Sequence, residues 1–178
     1  MYGYHADLDT MGHVYGPGSL PWRLQLAQVD RLVAAVANAL PADAVLAVTG
    51  DHGMVTMDRV FDVDTVPELG AGVRLLAGGP RSRHVYAEPG AAADVLAAWR
   101  AVLGDAAEVV SREQAVEEGW FGPVAAALAG RIGDVVVAAR GGAGVIRSEA
   151  EPTVSRMVGQ HGSLSAREQR VPLLQVRI

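Results

Sequence analysis

Ala44-Val45-Leu46-Ala47-Val48-Thr49-Gly50-Asp51-His52-Gly53-Met54 is the stretch around which the chain organises itself. Its first five residues form a short apolar run bounded by Pro41-Ala42-Asp43 and Gly50, which predicts a buried strand of a parallel sheet. Ligands of open α/β sheets gather beyond the carboxyl ends of the strands, so Asp51 and His52 fall where chemistry is expected. By itself the segment also fits a polar turn that uses glycine for backbone freedom. The metal or catalytic reading therefore depends on what accompanies it.

Upstream, Asp9-Thr10-Met11-Gly12-His13 places a carboxylate and an imidazole four residues apart, able to converge on one side of a helical turn or a tight loop. Such oxygen and nitrogen donors suit zinc, with manganese and iron as alternatives, although a surface ion pair has the same spacing. From Leu20 to Leu40, Trp22, Leu26, Val29, Val33, Val36 and Leu40 recur at intervals of four and three, the stripe of an amphipathic helix. Ser19 or Leu20 is its expected cap, Pro21 suits its first turn and Pro41 stops it. A helix of that length, about 30 Å, runs back along a sheet, so Asp9/His13 and Asp51/His52 are expected at the same sheet edge.

Downstream, Gly159-Gln160-His161-Gly162-Ser163 sets a third histidine between glycines. Three of the five histidines thus stand in glycine-adjacent loops, two of them near aspartates. Chance placement is a poorer account of that pattern than a shared ligand.

Other segments read as scaffold. Tyr2–His5 is expected to be the tail of a strand, with 7–9 running into a loop, and residues 55–68 to be a surface excursion. Residues 73–77 and 84–88 are expected strands of a hairpin. A helix over 91–103, a short edge strand over 108–111, helical turns over 112–118, a buried strand over 135–139 and a final strand over 171–176 follow. Arg81, Arg83 and His84 read as solvated loop charges, with an anionic substrate as the alternative. Trp120-Phe121 reads as a packing plug. Gly141-Gly142-Ala143-Gly144 lacks the lysine of a phosphate-binding loop and reads as a turn.

Composition sets the outer bounds. The 178 residues are half apolar and carry a formal net charge of −5, a globular composition without the basic footprint of a bulk nucleic-acid binder. Every one of the 15 cationic residues is Arg. The absence of Cys excludes disulfides and thiolate metal sites, so a metal would need His, Asp or Glu. No apolar run reaches bilayer length, and Met1-Tyr2-Gly3-Tyr4-His5 has no leader pattern. The expectation is a soluble, cytoplasmic protein, with export left open.

Taken together, Asp9-x-x-Gly12-His13-x-Tyr15-Gly16-Pro17-x-Ser19, Asp51-His52-Gly53-Met54 and Gly159-x-His161-Gly162, leading to Glu168-x-x-Val171-Pro172-Leu173, resemble the type I phosphodiesterase/nucleotide pyrophosphatase family of the alkaline phosphatase superfamily. The order and separations agree over nearly the whole chain. Asp-His-Gly alone is shared with cofactor-independent phosphoglycerate mutases and phosphopentomutases. The resemblance implies an α/β fold with a mainly parallel sheet flanked by helices, alkaline-phosphatase-like and truncated at the N-terminus. Residues 1–178 would form a single partial domain, the C-terminal part of a catalytic domain.

The resemblance also implies a two-zinc hydrolase acting on a small phosphodiester or nucleotide. Asp9, His13 and His161 would hold one zinc, a complete site, and Asp51 and His52 the second, left incomplete. The family's further aspartate and its Thr or Ser nucleophile have no match among these residues. Two readings follow: a phosphodiester or nucleotide pyrophosphate hydrolase, inactive as this chain alone, and a non-catalytic metal-binding remnant with a structural or partner-binding role. Neither the oligomeric state nor the exact substrate is legible in the sequence.

Overall fold

The computed structural model describes residues 1–178 and divides them into two compact units. The first comprises Met1–Thr56, Met157–His161 and Ala166–Ile178; the second comprises Met57–Arg156 and Gly162–Ser165.

In the first unit, α1 (Asp7–Tyr15) and α2 (Leu20–Ala39) precede β1 (Val45–Thr49) and β2 (Val55–Thr56). Ser19 caps α2, its hydroxyl accepting from the Trp22 backbone N–H at 3.3 Å, and Pro21 stands in the first turn. This is the helix that the apolar stripe predicts. Two expectations fail nearby: Tyr2–His5 forms no strand, and 7–9 open α1 rather than a loop. Asp7 and Asp9 lie in the first turn of α1, the end at which the helix dipole favours a carboxylate, and His13 lies in its last turn.

The second unit contains most of the interior. Following β3 (Arg59–Asp62) and α3 (Pro67–Gly70), the hairpin of β4 (Val73–Gly79) and β5 (Ser82–Ala87) leads to α4 (Ala92–Leu103), β6 (Ala107–Ser111) and α5 (Arg112–Glu117). Next come β7 (Val135–Ala139), β8 (Ala143–Ile146) and α6 (Pro152–Ser155). An antiparallel sheet runs β4-β5-β7-β6, with β7 buried at every position and β6 at an edge, as their sequences predict. Trp99, Leu103 and Val95 of α4 pack on Leu76, Val85, Val135 and Val137 of this sheet. Trp120 closes a smaller cluster around Val110, Ala115, Ile132 and Val136, a packing plug as expected, whereas its neighbour Phe121 is exposed.

The remaining elements, β9 (Gly159–Gln160), α7 (Ala166–Gln169) and β10 (Leu173–Arg177), belong to the first unit. Here β10 pairs with β1 and β9 with β2, both antiparallel. The α/β class therefore holds, but the expectation of mainly parallel pairing does not. The sheets are mixed, and β3–β8 is the parallel pair. Short apolar runs carry no information on strand direction. Nor is β1 buried: alternate residues remain exposed.

Arg81 and Arg83 are also corrected. Both are 0 % exposed instead of solvated. The Arg81 guanidinium donates to the Ala143 and Ala139 carbonyls. Arg83 donates to the Val145 and Gly78 carbonyls and grips the Glu151 carboxylate at 2.8 and 3.3 Å. These cations tie strands together; a charge inside a protein is tolerated when it is paired and hydrogen-bonded. No helix is long and apolar enough to cross a membrane.

Candidate metal centre

All five residues singled out by the sequence lie in the first unit. Asp9 and His13 share one face of α1, Asp51 and His52 follow β1, and His161 follows β9. The Asp9 carboxylate sits among the three imidazoles, with Oδ2 3.5 Å from His13 Nε2, and Oδ1 3.8 Å from His52 Nε2 and 4.0 Å from His161 Nε2. Asp51 Oδ1 is 3.8 Å from His52 Nε2. The His52 and His161 rings stack at 3.4 Å between centroids, and His13 lies 5.2 Å from His161.

Two of the rings are oriented by their own loops. His13 Nδ1–H donates to the Gly159 carbonyl at 2.7 Å, and His52 Nδ1–H to the Gly53 carbonyl at 3.0 Å. Each bond leaves the Nε2 lone pair free and facing Asp9, the way a metal-ligating histidine is held by a backbone carbonyl on its other nitrogen. Burial, then the neighbouring His52, holds the His161 imidazole below its ordinary value; Asp9 and Asp51 oppose this and His13 adds to it. A neutral imidazole is the form that ligates a metal.

The residues present fit a cation. Asp9 Oδ1 is buried without a hydrogen-bond partner, and an orphaned carboxylate oxygen is costly unless something positive meets it. One donor atom each from Asp9, His52 and His161 lie within 4.8 Å of one another. Zinc–ligand bonds of 2.0–2.2 Å in a tetrahedron imply donors roughly 3.3–3.6 Å apart, close to the separations around Asp9. That triad crosses the division into two ligand sets expected from the sequence, because Asp9 faces His52 as directly as it faces His161.

Close backbone approach brings the three loops together. A Cβ on Gly53 would collide with the Arg167 carbonyl, and one on Gly159 with the Gly12 carbonyl. The Gly53 N–H donates to the Glu168 carbonyl at 2.7 Å, and Val158 N–H to the His13 carbonyl at 2.8 Å. The Met54 thioether lies beside both Gly12 and Gly159. The motifs quoted from the sequence include Met54 and Glu168, but the supporting role of Met54 and of the Arg167–Glu168 backbone was not legible there.

The fold and the cluster define an α/β protein of alkaline-phosphatase-like architecture with a histidine–aspartate donor set at the ends of its secondary-structure elements. The chain belongs to the family described as type I phosphodiesterase / nucleotide pyrophosphatase, which it matches over residues 1–164. Among solved structures it is similar to murine ectonucleotide pyrophosphatase/phosphodiesterase 5, with a TM-score of 0.73 and 22% identity over 93% of this chain and 44% of that one. It is also similar to phosphonoacetate hydrolase from Sinorhizobium meliloti, with a TM-score of 0.67 and 22% identity over 94% of this chain and 43% of the other. A curated relative, GPI ethanolamine phosphate transferase 3 from Eremothecium gossypii, is 35% identical over 54 residues, 30% of this chain and 5% of that protein. The chain thus spans less than half the length of each.

Proposed function

We propose that residues 1–178 are one partial domain of a zinc-dependent hydrolase of phosphodiester or nucleotide pyrophosphate bonds. The observation that carries this reading is the buried, unpartnered Asp9 Oδ1 facing the Nε2 atoms of His52 and His161. Asp9, His13 and His161 would hold one metal, and Asp51 and His52 a second. Bound there, the metals would supply positive charge to phosphoryl oxygens, the need of an in-line displacement at phosphorus. The chain's own part is to lower the pKa of the His161 imidazole, through burial, and to aim His13 and His52, through the Gly159 and Gly53 carbonyls. The substrate would be a small phosphodiester or nucleotide.

None of these residues matches the family's Thr or Ser nucleophile, so the 178-residue chain alone is expected to hydrolyse little or nothing. The second reading, a metal-binding protein without catalysis, rests on the same donor cluster. Zinc titration of the wild type beside Asp9→Asn and His161→Ala tests the shared premise. The expected outcome is a loss of zinc affinity beyond about 100-fold in either variant, the upper end for losing an outer-shell partner. Equal zinc content in all three proteins sinks the ligand set. Because neither reading expects appreciable turnover from this chain alone, titration of the zinc-loaded chain with AMP separates them: zinc-dependent binding of AMP supports the hydrolase, and zinc binding with no affinity for AMP supports the alternative.

A further inference from the structure

The thioether of Met54 borders all three loops of the donor cluster. It stands two residues after His52, and its Sδ lies 2.5 Å from where a Cβ on Gly12 would stand and 2.7 Å from one on Gly159. Gly12 precedes His13 in α1, and Gly159 opens β9 two residues before His161. These two backbones also touch each other, because a Cβ on Gly159 would strike the Gly12 carbonyl. The seam between them is hydrogen-bonded: His13 Nδ1–H donates to the Gly159 carbonyl at 2.7 Å, and the Val158 N–H to the His13 carbonyl at 2.8 Å. Met54 itself is half-buried, so its sulfur closes the seam while staying within reach of small solutes. An apolar, unbranched and flexible thioether suits so narrow a gap.

That fit fails once the sulfur carries oxygen. A sulfoxide is polar and chiral, and its oxygen is added to an atom already flanked by two backbones. On the Gly12 side it meets the interior of α1, where the helix ladder already uses the backbone N–H, so the new dipole is buried without a donor. We propose that Met54 is a modification site: a peroxide oxidises its thioether to the sulfoxide, which parts α1 from β9 and weakens the hold of the donor cluster on its metal. The peroxide transfers one oxygen atom to sulfur. The S–O bond forms as the O–O bond breaks, sulfur gives up two electrons, and the peroxide leaves as water or an alcohol. Parting the seam costs His13 its Gly159 carbonyl and moves Asp9 and His13 away from His161. Met57, by contrast, packs beside Gly144 in the second unit, where oxidation leaves the donor loops in place. The loss of metal rests on the metal-centre reading, whereas the opening of the seam does not.

Hydrogen peroxide treatment of the 178-residue chain, followed by peptide mass spectrometry, zinc titration and hydrogen exchange, tests the assignment. Conversion of Met54 to the sulfoxide is expected to raise the zinc Kd about tenfold or more and to speed exchange of the Val158 amide about tenfold. Methionine sulfoxide reductases with dithiothreitol are expected to restore both. Met54→Leu, which keeps an apolar side chain without a sulfur, is expected to show neither change on treatment. A chain carrying Met11→Leu, Met57→Leu and Met157→Leu keeps Met54 as its one internal thioether and is expected to respond as the wild type does. That chain decides the matter even where Met54→Leu fails to fold. The assignment is overturned if Met54 stays unoxidised while the other methionines are converted, if its oxidation changes neither readout, or if Met54→Leu loses zinc to peroxide as the wild type does. A chain that binds no zinc before treatment breaks the metal-centre reading instead, and Val158 exchange then decides the role of Met54 by itself.

Discussion

The two units divide interior and chemistry unequally. The second holds nearly all the buried apolar residues, gathered around Trp99, Leu69, Leu103 and Val85, while in the first Val55 is the one buried apolar side chain of the core. The first nevertheless carries Asp9, His13, Asp51, His52 and His161. Packing and polar backbone contacts are therefore separate means of organising a chain. The second unit is ordered by burial, whereas the donor loops are brought together by glycine approaches and hydrogen bonds to carbonyls. Burial of apolar area contributes about 25 cal/mol per Å², so stability is expected to concentrate in the second unit.

The sharpest way to break this contrast is a pair of truncations. Trp99 is fully buried and its indole N–H donates to the Leu69 carbonyl at 3.1 Å. Trp99→Ala is expected to cost about 3–5 kcal/mol in urea unfolding, through a cavity and an orphaned carbonyl. Val33→Ala, on the half-buried face of α2, is expected to cost under about 1 kcal/mol. Equal losses would erase the distinction between the units.

A smaller effect probes the polar ties within the packed unit. Glu151→Ala strips the Arg83 guanidinium of its carboxylate while leaving it buried against the Val145 and Gly78 carbonyls. Removing one partner of a buried ion pair costs about 3 kcal/mol, and the remaining carbonyl contacts place the expected loss at or below that. A change under about 0.5 kcal/mol in the same unfolding assay would show that the carbonyls alone suffice for Arg83.

The smallest expected effect is a pH dependence at His84. Burial pushes its imidazole below the ordinary value, and Nδ1 accepts from the Gly133 backbone N–H at 3.1 Å. Its folded pKa is depressed, so the unfolded chain binds more protons. The stability it contributes is present above about pH 6.5 and is lost as pH falls toward the folded value. Denaturation at pH 7.5 and 5.0 is expected to show a steeper acid loss for the wild type than for His84→Gln. Parallel pH profiles would remove His84 from the account.

Much of the scaffold was legible because its signals are local. The α2 stripe, Ser19 and Pro21 specify a helix without reference to the rest of the chain, and the alternation of glycine with histidine marked His13, His52 and His161. What escaped notice depends on distant partners. Residues 55–68 have no period, yet Arg59–Asp62 becomes a strand by pairing with 143–146, more than eighty residues later. Arg81 and Arg83 read as loop charges because nothing near them in sequence announces the carbonyls of 139, 143 and 145. The direction of β1 was misjudged for the same reason, since its neighbour, β10, lies at the other end of the chain.

The contacts of Gly53 and Gly159 have a consequence for sequence drift. Both positions lack a side chain, so neither would be suspected in a search for ligands, yet a methyl group at either would push apart loops that carry His52 and His161. Variation at the donor cluster is thus constrained at more positions than it has donor atoms. An inactivating substitution in this chain need not touch a titratable residue.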